Sequence, residues 1–394
     1  MILSDVCEFI VDCPHSTAPD EGKGYPLIRT PNVGKGRLDL NGVHRVSESV
    51  YKQRIQRGAP RANDLIFARE APAGNVALVQ ENQTVCLGQR TVLIRPSVQK
   101  VNPQYLVYYL LSPKPQYELL GTANGATVAH VNLPAIRNLK IELPEKSVQD
   151  KIGTILVTYD DLIENNQKQI KLLEEAAQRL YKEWFVDLNF PGHENTKIVD
   201  GVPEGWQWCK VRDVADINSS ALPKNYKEDF IDYVDLGSVR CGHIETRTRY
   251  NLNEAPGRAK RCAKDGDIIW GMVRPNLKAY ALVTNPKETD VFSTGFAVLS
   301  AKKVPYSYLY CAVTQEEFVG YLVNATNGAA YPAVKPVHFE VADILKPDDK
   351  VLEQFHSVAD SIYRKKEALE NQNHNLSEAR DLLLPKLMNG EVEV

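Results

Sequence analysis

Asp64 with Glu81, and Asp267 with Glu288, are the carboxylates whose types could hold a divalent metal for phosphodiester cleavage. Acidic residues beside strands are commonplace, so a metal nuclease stands only as an alternative. His130, His243 and His338 stand apart without metal-ligand spacing, and a surface or hydrogen-bonded histidine is the default for each. A DNA methyltransferase needs a glycine-rich cofactor loop after a strand and an aromatic-proline tetrapeptide that holds a flipped base. The nearest stretches, Ser112-Pro113-Lys114-Pro115 and Asn189-Phe190-Pro191-Gly192, lack the required residue types. No G-x-x-x-x-G-K-[ST] phosphate loop occurs, and nothing pairs a nucleophile with a base. The sequence therefore predicts a chain with no metal site, no cofactor of its own and no catalytic activity.

Its charges point to binding instead. The net charge is -3, but its distribution is uneven. Glu21 to Glu70 holds ten basic residues against five acidic, and Arg240 to Lys278 nine against four. Asp160-Asp161, Glu174-Glu175 and Asp348-Asp349 lean the other way. Basic globules joined by acidic rods suggest polyanion binding at two places, with acidic outer faces left for a protein partner. Ordinary solvated surface charge is the alternative.

The elements that would carry these charges form a repeat. Asp64 and Asp267, Gly125 and Gly328, and Pro144 and Pro347 are each 203 residues apart. Asp64-Leu65-Ile66-Phe67 answers Asp267-Ile268-Ile269-Trp270, while residues between the landmarks differ almost everywhere. Each copy ends in a long helical pattern. Leu156, Ile163, Ile170, Ala177 and Trp184 recur every seventh residue, with Leu173 and Leu180 beside them. Phe355, Ile362, Leu369, Leu376 and Leu383 form the second row. Ser147, three residues before Asp150, is a candidate N-cap. Over Pro144 to Phe185 such a helix would run about 60 Å, a spacer's length.

The predicted fold class is α+β: two mixed α/β globules separated by two long antiparallel coiled-coil helices, with a pseudo-twofold internal repeat. The domains are residues 1–143, a helix over 144–190, a second globule over 191–346 that opens with a linker at 191–205, and a C-terminal helix over 347–394. Asn166 and Gln372 fall on the seam, where a polar residue can fix register. Strands are expected at Leu65 to Ala68, Val76 to Val79, Thr91 to Ile94, Leu139 to Leu143, Tyr233 to Leu236, Asp267 to Trp270, Phe296 to Leu299 and Phe339 to Leu345, and a short helix at Val101 to Leu111. Seven scattered cysteines without a C-x-x-C pair read as reduced thiols. With no apolar N-terminal segment and no apolar run near 18 residues, a cytoplasmic location without membrane contact is expected.

The duplicated plan resembles the specificity subunit of type I restriction-modification enzymes over essentially the whole chain. Asn124-Gly125-Ala126-Thr127 through Leu143-Pro144 and Asn327-Gly328-Ala329-Ala330 through Lys346-Pro347 are similar to that family's globule-to-helix junctions. Leu173 to Phe185, Ala379 to Glu391, Gly205-Trp206 and Asp235-Leu236-Gly237-Ser238-Val239 also match its style. The first globule departs from it in lacking a tryptophan lead-in, and Ala330 and Tyr331 replace Thr127 and Val128.

The resemblance implies a target-reading subunit without chemistry. Each globule would read one half of a bipartite, asymmetric target in double-stranded DNA, and the helices would fix the gap. Two methyltransferase subunits using S-adenosylmethionine would dock on it, and restriction subunits using ATP and Mg would join. Base edges call for Arg, Lys, Asn or Gln. The candidates in the first half are Arg69 and Asn75, with Lys35, Arg37, Gln89, Arg90, Asn124, Thr127 and His130. In the second half they are Arg274, Asn276 and Lys278, with Arg240, His243, Arg261, Asn327, Tyr331 and Lys335. A structural or phosphate-contact role is the alternative for each. For the whole chain the alternatives are a nuclease or methyltransferase with an unrecognised site, and a coiled-coil scaffold that binds proteins only.

Overall fold

The structure, a computed structural model, describes residues 1–121, 130–326 and 332–394. It divides into two compact units, residues 1–167 with 371–394, and residues 168–370. The candidates Asn124, Thr127, Asn327 and Tyr331, and the landmarks Gly125 and Gly328, lie outside the described residues.

The first unit is built on a five-stranded sheet ordered Cys7–Asp12, Thr91–Pro96, Leu65–Ala68, Val76–Leu78 and Gly36–Arg37. Neighbours pair antiparallel except the last, which is parallel. Leu65–Ala68 is buried along its whole length, because alternate side chains of a strand leave on opposite faces and both faces are covered. Leu65 and Phe67 join Tyr105, Leu106 and Leu156 on one side, while Ile66 and Ala68 join Ile28, Val33 and Leu93 on the other. The helix Pro103–Leu111 covers the first face. Asn102 opens it by accepting from the Gln104 and Tyr105 amides, and Pro103 needs no amide partner there.

The second unit repeats the central pairing. Ala215–Ile217, Phe296–Ala301, Ile268–Gly271 and Tyr280–Leu282 lie in that order, antiparallel throughout. The register corresponds too, with Leu65 opposite Ile94 in the first unit and Ile268 opposite Leu299 in the second. The unit adds a second four-stranded sheet, Thr248–Asn251, Phe230–Val234, Asp290–Ser293 and Ala259–Arg261.

Two long helices run through the sequence, Lys146–Tyr181 and Asp349–Met388, of 36 and 40 residues. Within each unit their segments lie antiparallel. In the first, Asp160 meets Arg380, and Asn166 Nδ2 donates to Gln372 at 3.0 Å and Asn373 at 2.9 Å. The polar seam residues are therefore bonded across the helix pair, Asn166 buried and Gln372 at its exposed margin. In the second unit a π-helical turn, Lys182–Val186, brings Trp184 and Phe185 to Phe355, with ring centroids 5.9 and 5.0 Å apart. Of the seam residues, Leu156, Ile170, Phe355 and Leu369 are buried; Ile163, Leu173, Leu180, Ile362, Leu376 and Leu383 are half-buried.

Four local expectations change. The strand expected at Tyr233 to Leu236 is Phe230–Val234, because Asp235 caps a short helical turn over Leu236–Ser238. Leu139 and Ile141 are buried as the alternation requires, but 139–143 forms only one bridge, Lys140 to Ile2, because its partner is the short segment at Met1–Leu3. Phe339 belongs to the helical turn Pro336–Glu340, which Pro336 opens, and the strand is Asp343–Lys346, paired with Gln207–Lys210. The first long helix starts before Ser147: the Glu145 carbonyl already accepts from the Val148 and Gln149 amides. The second is capped by Asp348, whose carboxylate accepts from the Val351 amide at 3.1 Å. All seven cysteines are free thiols. No helix among the described residues is long and apolar enough to cross a membrane.

Phe355 is fully buried against Tyr181, Trp184, Phe185 and Tyr308. Phe355→Ala is expected to cost about 3–5 kcal/mol, measured as a lower urea midpoint of the full chain.

Candidate nucleic-acid interface

The ends of Cys7–Asp12 and Leu65–Ala68 and the start of Thr91–Pro96 meet at one end of the first unit's sheet, as the pairs Asp12–Val92 and Ala68–Thr91 require. A connected polar network sits there. Arg69 donates from Nη1 to Asp12 at 2.7 Å and from Nε to the Val131 carbonyl at 2.9 Å, and its Nη2 lies 2.8 Å from His130 Nε2. His130 Nδ1 is 2.6 Å from Glu70, whose other oxygen pairs with Arg90 at 2.6 Å. Gln89 donates to the His15 carbonyl, and His15 lies 3.4 Å from Asp12. Arg69, Gln89, Arg90 and His130 are thus brought together, through Asp12 and Glu70, two residues that sequence reasoning missed. Chemically they differ. Arg69 has an 11% exposed side chain and three partners, so it fixes the strand exit; Arg90, at 63%, can reach a phosphate or a base edge.

The remaining first-half candidates lie elsewhere. Asn75 donates to the Val33 carbonyl at 2.8 Å and holds the turn before Lys35, which is exposed. Arg37 turns to the first long helix and pairs with Asp161, with Asp160 3.9 Å away.

In the second unit Arg274 and Lys278 bracket the turn Pro275–Leu277, both in the left-handed region at φ 50° and 53°. Arg274 and Asn276 are exposed, and Lys278 pairs with Glu316. The Arg274 amide donates to the Pro332 carbonyl at 2.8 Å, bringing the segment that carries exposed Lys335 alongside. The hairpin Val239–Arg240 and His243–Ile244 also lies here, because the Cys241 and Gly242 amides donate to the Lys278 and Tyr280 carbonyls. Arg240 is exposed, 3.5 Å from Glu245. Arg261 stands on the other sheet, opposite Phe292.

The strand exits correspond, though not at the two arginines. The Arg69 carbonyl accepts from the Val131 amide, and the Met272 carbonyl accepts from the Val334 amide, both at 2.9 Å. These pairs keep the 203-residue offset, so the counterpart of Arg69 is Met272, and Arg274 lies two residues farther out.

The repeated aspartates have a local task. Asp64 accepts from the Arg61 amide and from both ends of the Arg95 guanidinium at 2.8 and 2.7 Å. Asp267 accepts from the Lys264 amide, and burial raises its pKa. Each carboxylate closes the turn that enters a central strand. Among the described residues no three His, Cys, Asp or Glu side chains are grouped to hold a metal.

His243 turns toward the helices. Its Nδ1 is 2.7 Å from Glu370 and its Nε2 3.4 Å from Glu174, and bonds to these carboxylates push its pKa up to about 9, against burial and nearby Lys366. Burial alone would raise the Glu174 pKa, but His243 and Lys366 outweigh it and hold it below the usual range.

Residues 1–175 match the family model described as the type I restriction modification DNA specificity domain. The chain is 27% identical over 365 residues to the type I restriction enzyme MjaIX specificity subunit of Methanocaldococcus jannaschii, covering 90% of this chain and 83% of that one. It is 20% identical over 404 residues to the HindI specificity subunit of Haemophilus influenzae, covering 85% and 87%. Among solved structures it is similar to the type I restriction-modification S subunit from M. genitalium, at 14% identity and a TM-score of 0.59, over 98% of this chain and 95% of that one.

The His243 geometry has a pH consequence. Its pKa lies above the unfolded value of about 6.5, so its stabilising contribution is complete below that pH and is lost as pH rises through about 9. Thermal melts of the parent chain are expected to fall over that window more steeply than those of His243→Asn. Parallel profiles would contradict the assignment.

Proposed function

Since the chain belongs to the type I restriction-modification specificity-subunit family, we propose that it selects the DNA target of such a system by reading with both of its globules. The observation that carries the reading is the repeated strand exit. Each copy opens a loop after a buried central strand, pins it with the same backbone bond to the segment entering its helix, and sets basic side chains beside it. A loop so held can present exposed cations while its scaffold stays rigid.

Residues 1–143 read one half of an asymmetric target, and residues 191–346, after the linker 191–205, read the other. The helices over 144–190 and 347–394 set the unread gap. One added helical turn lengthens a helix by about 5.4 Å, which compares with about 3.4 Å per base-pair step. Lys35, Arg90, Arg240, Arg274, Asn276 and Lys335 are exposed and make the outward contacts. Arg37, Arg69, Asn75, Lys278 and His243 hold the loops that carry them. Asn124, Thr127, Asn327 and Tyr331 remain base-reading candidates on sequence grounds.

The chain itself performs no chemistry. Two methyltransferase subunits supply S-adenosylmethionine-dependent methylation, and restriction subunits supply ATP- and Mg-dependent cleavage, in the cytoplasm. Turnover of DNA by the purified chain with S-adenosylmethionine and Mg would overturn this division of labour.

Two measurements check the reading. Replacing residues 1–143 with another globule of this type is expected to change one half of the methylated motif; a change in both halves, or in neither, sinks the two-reader model. In the assembled complex, Arg90→Ala and Arg274→Ala are each expected to weaken DNA binding and to reduce the slope of log K against log salt by about 1 where the lost contact is to phosphate. Unchanged affinity in both would favour a scaffold that binds proteins only.

A further inference from the structure

Each unit sets one carboxylate of the first long helix against one base of the second, with one member of each pair buried, Asp160 in the first unit and Lys366 in the second. In the first unit Arg380 donates to Asp160 at 2.5 Å, and Tyr108 OH donates to the other oxygen at 2.5 Å; Arg37 and Asp161 stand beside them. In the second, Lys366 Nζ lies 2.8 Å from Glu174 and donates to the Gly242 carbonyl at 2.8 Å, with His243 and Glu370 adjoining. The Asp160 side chain is 2% exposed and that of Lys366 7%.

These sites are one site written twice. Gly36 and Gly242, Arg37 and His243, Asp160 and Lys366, and Glu174 and Arg380 are all 206 residues apart. Both glycines have positive φ, 90° and 93°. A Cβ would sit 2.6 Å from Asp160 Oδ2 at Gly36, and 2.9 Å from Glu174 Oε1 at Gly242. The surroundings are kept, but the signs are exchanged between equivalent positions. The first helix supplies the acid both times, and the second supplies the base both times.

The exchange decides what each helix can pair with. A second copy of Lys146–Tyr181 laid where Asp349–Met388 lies would bring Glu174 to the place of Arg380 and Asp160 to the place of Lys366. Each buried site would then hold two carboxylates and no base from the helices. Two copies of the second helix would bury Lys366 against Arg380. The rest of the seam is indifferent to this choice: Asn166 and Gln372 are themselves 206 apart and can bond to a copy of either, and Ile163 and Leu369, likewise 206 apart, are both aliphatic. We infer that Asp160, Glu174, Lys366 and Arg380 form a pairing code by which the first long helix accepts the second and rejects another copy of itself.

A like pair of carboxylates is disfavoured because it removes the counter-charge supplied by the other helix and leaves Arg37 in the first unit, and His243 in the second, to face two carboxylates. Only in its consequence does this rest on the proposed function: if the globules read DNA, a symmetric reader made from two copies of one globule is barred, and the target halves are kept unlike.

The test uses the full chain and thermal unfolding without DNA, so its result is independent of target reading. Arg380→Glu recreates in place the carboxylate pair a second first helix would bring, while Arg380→Gln has nearly the same shape without charge. Arg380→Glu is expected to melt lower than Arg380→Gln by on the order of 10 °C, and Lys366→Glu lower than Lys366→Gln. Equal melting within both pairs would overturn the code. A folded glutamine variant beside an unfolded glutamate variant supports it. If neither folds at position 380, Asp160→Asn/Arg380→Gln decides: recovery of a folded chain shows that charge was at fault and supports the code, and failure of that variant too overturns it.

Discussion

The ion pairs Asp160–Arg380 and Glu174–Lys366 set the terms on which each unit closes. A carboxylate removed from water costs several kcal/mol unless a base and further donors are held against it. Here the donors come from elements far apart in sequence. Asp160 needs Arg380 from the other helix and Tyr108 from the helix over the sheet; Glu174 needs Lys366 and His243. Neither carboxylate is satisfied until the globule and both helix segments of its unit are in place, which makes the helices part of each unit's core as well as extensions of it. The two glycines complete the arrangement, because a methyl group at either would press on the carboxylate.

Around these pairs the two units solve one packing problem with different residues. Leu65–Ala68 and Ile268–Gly271 are central strands buried on both faces and entered by a turn closed by an aspartate. Their local electrostatics diverge: Asp64 has the Arg95 guanidinium, whereas Asp267 has no arginine against it among the described contacts and its pKa is raised by burial. The second unit also carries the additional sheet around Phe230–Val234. A duplicated scaffold that retains strand register and strand exits while its loops diverge can present two different surfaces from one architecture.

Much of this was legible in the sequence. The 203-residue offset located the repeat, the apolar runs located the central strands, and the sevenfold rows located both long helices, because period and burial are set by local geometry. Asn166 and Gln372 were singled out as polar seam residues and are bonded to one another. Leu139 to Leu143 forms a single bridge in place of the expected strand, and of Phe339 to Leu345 only Asp343 onward is strand, the Phe339 end being a helical turn. Alternating burial says which side chains face a core, while strand identity also needs a backbone partner of sufficient length, which is a tertiary matter.

The candidate site shows the same division. Sequence picked out Arg69, Arg90 and His130 by residue type and position, but could not find Asp12 and Glu70, whose carboxylates fix them across the end of the sheet. It took Asp160 and Glu174 for members of acidic outer faces, when both point inward to bases on the other helix. What the sequence determined by itself was the duplication, the element types and the contrast between the basic stretches Glu21 to Glu70 and Arg240 to Lys278 and the acidic helices, all properties of neighbours along the chain. Which charges face solvent and which are consumed in holding the units together was decided only by the tertiary structure, because a charge is neutralised by groups near it in space, and here those lie up to 220 residues away in sequence.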